Sequence, residues 1–135
     1  MQNMSFMLTT KQFREQTKTV TRRLSWWNLK PGAILMGVEK CQGLKKGERI
    51  QPLGPIRIIN VRHERLDRIT QSDCIKEGFP HLTPMQFISL FMTTHKGCTP
   101  DTTICRIEFE YINPIPAGQP TATEQGQLYS AGCAL

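Results

Sequence analysis

The stretch Thr103-Ile104-Cys105-Arg106-Ile107-Glu108-Phe109-Glu110-Tyr111 alternates apolar and charged residues over four periods. Successive side chains of an extended strand point to opposite faces, so the pattern sends Ile107, Phe109 and Tyr111 inward and Arg106, Glu108 and Glu110 outward. A strand with one apolar face needs neighbouring strands and a covering layer, which makes this a sheet-bearing chain. The 135 residues, 39% of them hydrophobic, supply one such core and a single domain.

Other segments supply the rest of the layers. Ser5-Phe6-Met7-Leu8 reads as a short first strand, followed by a helix through Lys11 to Glu15 capped by Thr9 or Thr10. Ala33 to Lys40, after Pro31-Gly32, reads as a buried strand, and Gly43 to Gly54 as a long basic loop. Ile56 to His63 alternates in part and reads as a strand whose inner face carries Ile56, Ile58 and Asn60. Thr70 with Asp73 three residues on has the spacing of a capping box, for a helix ending at Gly78. Thr83-Pro84 starts a further helix with Phe87, Leu90 and Phe91 on one side. Strands at both ends with short helices between them predict an α+β domain whose sheet closes into a small β-barrel.

Beyond Ile112 the chain has no Lys or Arg and few large apolar residues, so 113–135 reads as a flexible tail on a domain of residues 1–112. All seventeen Lys and Arg fall before residue 107, against ten acids up to Ile112. A field of that sign suits phosphate backbones, and it equally suits simple solubility; charge alone does not separate the two. The five cysteines are odd in number and form no CxxC pair, and His63, His81 and His95 share no ligand spacing, so no metal and no cofactor are expected. No apolar run reaches membrane-spanning length and the first residues lack signal-peptide order, so the chain is expected to stay in the cytoplasm, with no membrane partner. Its oligomeric state is not written in the sequence.

The densest polar segment is Gln16-Thr17-Lys18-Thr19-Val20-Thr21-Arg22-Arg23, followed by Trp26-Trp27. Cations and hydroxyls at Lys18, Thr19, Thr21, Arg22 and Arg23 suit phosphate oxygens, and Trp26 or Trp27 suits stacking on a base. The competing reading is an ordinary basic loop whose tryptophans plug the barrel end. A second candidate is Glu77, at a helix end whose partial negative charge disfavours another anion.

The order Thr10-Lys11-Gln12-Phe13, Lys18-Thr19-Val20-Thr21-Arg22-Arg23, Trp26 with Leu29-Lys30-Pro31-Gly32, Glu77-Gly78-Phe79, Phe87-Ile88 and Arg106-Ile107-Glu108-Phe109 resembles the ASCH domain, a relative of PUA-type RNA-binding domains. The resemblance spans residues 5–112 and, in style, a phage-type member. It implies a small PUA-like β-barrel with short helices flanking a cleft, and binding of RNA or a modified nucleoside. One branch of the family hydrolyses N4-acylated cytidine with a Lys, a Thr three residues later and a distant Glu, which places Lys18, Thr21 and Glu77 as its matching trio. In that role Lys18 would activate Thr21 as nucleophile and Glu77 would protonate the leaving amine. Two departures stand out: the family's glycine two residues before the lysine is Gln16, and the loop from Gln42 to Gly54 is longer and more basic.

Overall fold

The computed structural model describes residues 1–113, so the tail expected at 113–135 lies outside the described residues except for Asn113. Strands β1 (Asn3–Ser5), β2 (Val20–Arg23), β3 (Ile34–Val38), β4 (Pro52–Arg65) and β5 (Thr103–Tyr111) form one mixed sheet in the order β1-β3-β4-β5-β2. Helices α1 (Thr10–Arg14), α2 (Gln71–Lys76) and α3 (Pro84–Thr94) fill the connections. The fold is α+β, as the patterning predicts.

The sheet does not close into the expected barrel: β1 and β2 remain its two edges. Side chains span that gap in place of a backbone ladder. The Arg23 guanidinium donates from Nη2 to the Ser5 carbonyl at 2.7 Å and lies 4.9 Å from the centroid of the Phe6 ring. The first strand also begins earlier than its sequence suggests, because Met7–Thr9 turn into a 3-10 helix. β2 carries no strand pattern in its sequence, since only one of its four residues is apolar.

The two faces of the sheet differ in chemistry. On one, Ile107, Phe109 and Cys105 of β5 join Ile56 and Ile58 of β4, Leu35 of β3, Met4, Phe6 and Phe13 in an apolar core. Phe13 of α1 presses so closely on β3 that a Cβ at Gly37 would stand 2.4 Å from its ring, which is why that strand position has no side chain. On the other face Ile104 packs with Leu66, Cys74, Phe87 and Phe91 beneath α2 and α3. Both helices start as the sequence predicts: Thr70 with Asp73, and Thr83 with Gln86, form reciprocal capping boxes.

A bulge decides what the helix-covered face carries. The β4–β5 register slips between Ile58, opposite Phe109, and Asn60, opposite Glu108. Even-numbered residues before the slip face the aromatic core, and those after it face the helices, so Asn60 leaves the face of Ile56 and Ile58. Arg62 comes to lie opposite Arg106, and Glu64 opposite Ile104. Arg106, expected outward from its place in the alternation, is only 4% exposed because α2 covers that end of β5. Glu110, beyond the cover, is exposed and pairs with Arg57 at 2.9 Å.

Candidate functional site

Lys18 and Glu77 are fifty-nine residues apart, and hydrogen bonds to two backbone carbonyls hold the neighbourhood in which they meet. Thr19 N donates to the carbonyl of Lys76 at 2.8 Å, tying the entry of β2 to the last turn of α2. The Tyr111 hydroxyl donates to the Lys18 carbonyl at 2.6 Å from β5. Gln16, two residues before Lys18, adopts φ 59, a left-handed conformation, in the turn that leads to Lys18. Gly78 follows Glu77 at φ 98, the conformation that ends α2, with Gln12 of α1 packed against it.

Both side chains are buried, each 2% exposed. The Lys18 ammonium donates to Glu77 Oε1 at 2.7 Å and to the Glu77 carbonyl at 3.0 Å. One cation thus answers both the carboxylate and the unpaired carbonyl at the end of α2, which resolves the misfit of an acid at a helix C-terminus. Burial pushes the Lys18 ammonium below its ordinary value; Glu77 opposes that, while Arg23 and Arg22 add to it.

Arg22 sits at the centre of a wider network. It donates from Nη1 to Glu77 Oε2 at 3.0 Å, and from Nη2 to Glu64 Oε2 at 2.9 Å and Asp73 Oδ2 at 3.0 Å. Burial pulls its guanidinium down, and the three carboxylates more than offset that and raise it. Arg22 lies directly opposite Arg106 across the β2–β5 ladder, an arrangement of like charges that costs stability unless something intervenes. Asp73 intervenes, with Oδ2 on Arg22 and Oδ1 on Arg106 at 2.9 Å. Burial alone would raise the Asp73 carboxyl, but Arg106 and Arg22 outweigh it and hold the group down to about 2. Arg22 Nε and Arg106 Nε are buried without a hydrogen-bond partner among the described residues.

A cavity of about 160 Å³ opens over the edge strand, walled by Lys18, Thr21, Arg22, Arg23 and Glu77 on one side and by Phe87, Phe91 and His95 of the α3 region on another. The trio Lys18, Thr21 and Glu77 therefore shares one cleft. Lys18 and Thr21 make no hydrogen bond to each other; the Thr21 oxygen accepts from Arg23 Nε at 3.0 Å. Arg23 stays charged near neutrality even though burial, partly opposed by Glu77, lowers its guanidinium to about 10.

The other residues singled out by sequence disperse. Thr19 contributes its backbone and does not line the cavity. Trp26, at φ 69, lines a second and larger cavity that shares Ser5, Met7 and Arg23 with the first. Trp27 is 41% exposed and stands edge-on to His63 at 5.1 Å, apart from both.

His95, one of three histidines that share no spacing in the sequence, is brought to the cleft by the fold. Its ring stacks on Phe91 at 4.0 Å, and Nδ1 lies 3.0 Å from the Phe91 carbonyl. The Thr94 hydroxyl lies 2.9 Å from the same nitrogen, so the ring is held in place from two sides. The i, i+4 spacing of Phe91 and His95 on α3 was the available signal. Among the described residues no group of three or more His, Cys, Asp or Glu gathers as a metal site, and no helix is long and apolar enough to cross a membrane.

No family model matches the chain, and no curated protein matches its sequence. Among solved structures, a protein of the DUF984 family model from Enterococcus faecalis V583 is similar at a TM-score of 0.52 and 18% identity, over 83% of this chain and 76% of that one. An ASCH domain from Lactobacillus crispatus JV V101 is similar at a TM-score of 0.49 and 14% identity, over 76% of this chain and 69% of that one. At 18% identity the likeness to the Enterococcus protein is one of fold alone.

Proposed function

We propose that the cleft between β2, α2 and α3 binds a modified nucleoside, free or within RNA. The observation that carries this reading is the meeting of Lys18, Thr21 and Glu77, from separate segments, around one small cavity whose deeper cations are already spent on carboxylates. Lys18 and Arg22 have no charge left over for a phosphate, so the pocket they line suits an uncharged polar group such as a modified base. Phe87, Phe91 and His95 supply the apolar and aromatic wall that a base needs.

A second reading, hydrolysis of N4-acylcytidine, is favoured by a lysine with a lowered ammonium beside a threonine in the same cleft. The neutral Lys18 amine takes the Thr21 proton as Oγ1 bonds to the acyl carbon. That proton then passes to the cytidine N4 as the C–N bond breaks, leaving cytidine and an acyl-threonine ester. Water attacks the ester, releases the carboxylic acid and restores the Thr21 hydroxyl. Both Glu77 oxygens accept from cations, so its part here is to hold Lys18 and Arg22 rather than to donate the leaving-group proton.

The test is turnover of N4-acetylcytidine by the purified protein across pH. Hydrolysis is expected to rise with pH as Lys18 loses its proton. Lys18→Arg, which keeps the charge and cannot act as a base, should lower the rate by about 100-fold or more. A wild-type protein that binds the nucleoside without releasing acetate would leave the binding reading and remove the hydrolytic one.

A further inference from the structure

One cation beside the cleft differs from its neighbours. Lys18, Arg22 and Arg106 each reach a carboxylate within 3.0 Å. Arg23, the next residue along β2, forms no ion pair among the described residues. Its Nε donates to Thr21 and its Nη2 to the Ser5 carbonyl, which leaves the Nη1 amino group and one Nη2 proton uncommitted.

Arg23 is also part of the wall between two cavities. On its far side lies a space of about 600 Å³, lined among others by Asn3, Ser25, Trp26, Lys40 and Gln42. No carboxylate side chain lines it, and its other cation, Lys40, is already paired with Glu48 at 3.3 Å. Trp26 is held at φ 69, a left-handed conformation that a bulky residue adopts only when its surroundings impose it. A half-buried guanidinium that forms no ion pair and faces a cavity without acids is an arrangement that an incoming oxyanion completes.

We propose that the two cavities form one site, in which the smaller holds the modified base and the larger takes a phosphate on Arg23, so that the ligand is a nucleotide rather than an uncharged nucleoside. This rests on the nucleoside reading of the first cavity and adds a substrate class to it. Trp26 flanks the phosphate position and offers a face for the adjoining sugar or a neighbouring base. Two sources share this chemistry: a free nucleoside monophosphate and a nucleotide inside a strand.

The test compares the equilibrium affinity of the whole chain for N4-acetylcytidine and for its 5′-monophosphate at low and high salt. The monophosphate is expected to bind at least about 10-fold tighter at low salt, with the ratio shrinking as salt rises. Arg23→Gln should bring the ratio close to one. Because Arg23 also holds Ser5 and Thr21, Ser25→Glu provides a second variant, in which an added carboxylate repels the phosphate and should collapse the same ratio. A short RNA carrying an internal N4-acetylcytidine separates the sources: tighter binding than the monophosphate assigns the phosphate to a strand, and equal or weaker binding to a free nucleotide. Equal wild-type affinity for nucleoside and monophosphate overturns the phosphate site while leaving the base pocket intact. A monophosphate preference that survives in folded Arg23→Gln also overturns it. Failure of both compounds to bind overturns the base pocket itself, and this inference with it.

Discussion

Apolar packing holds both faces of the sheet, and the helix-covered one adds a buried network of ion pairs to it. The aromatic face, with Phe6, Phe13 and Phe109 in mutual contact, is an ordinary apolar core in which each residue contributes by the water it excludes. The helix-covered face buries Arg22, Arg106, Asp73 and Glu77 in a chain of ion pairs next to the candidate cleft. Burying charges is expensive, and the attraction between them offsets that only while every partner is present. The aromatic face therefore degrades gradually under substitution and the charged face abruptly. A stability-driven core has no need of such a network, and its location beside the cavity is why we connect it with function.

The largest expected effect lies on the charged face. Arg22→Met strips three carboxylates of their shared partner and should cost about 3–5 kcal/mol in urea unfolding. A loss below about 1 kcal/mol would mean that water enters the network freely and that the contrast between the faces is wrong. Acid should probe the same face without mutation. The Asp73 carboxyl is depressed in the folded chain from 3.8 to about 2, so between these values the unfolded chain binds more protons and stability falls as pH falls. Asp73→Asn should flatten that part of the pH profile even though it lowers stability overall; an unchanged slope would detach Asp73 from the two arginines.

On the aromatic face Ile107→Val should cost only about 0.5–1.5 kcal/mol by removing one methylene from the core. The smallest effect should come from the turn before Lys18. Gln16→Gly relieves a left-handed backbone and adds freedom to the unfolded chain, and these opposing terms should leave a gain of at most about 1 kcal/mol. A loss of stability there would show that the Gln16 side chain, which donates to the Asn113 carbonyl, outweighs the strain.

The ease of reading each part in the sequence follows the range of the interactions that make it. β5 announces itself because its alternation is local, and the Thr70–Asp73 capping box does so because cap and partner are three residues apart. β2 is silent because its arginine is buried by Glu64, Asp73 and Glu77, all more than forty residues away. The same gap misled the reading of Arg106, since alternation assigns charge to solvent and knows nothing of Asp73 on the covering helix. The β4 bulge has no glycine to mark it, yet it delivers Glu64 to the charged face. As for the trio itself, no spacing rule links Lys18 to Glu77; the resemblance put them together, and the fold supplies the backbone bond from Thr19 to Lys76 that makes the meeting possible.

The central claim is that Lys18, Thr21 and Glu77 enclose a binding pocket for a modified nucleoside. Calorimetric titration of N4-acetylcytidine into Thr21→Ala tests it most directly, because this variant keeps the Lys18–Glu77 pair and has no nucleophile to consume the ligand. Saturable binding at one site per chain, lost when Lys18→Glu is added to disrupt that pair, is the predicted result. No uptake of nucleoside by either the wild-type protein or a folded Thr21→Ala variant would contradict the account.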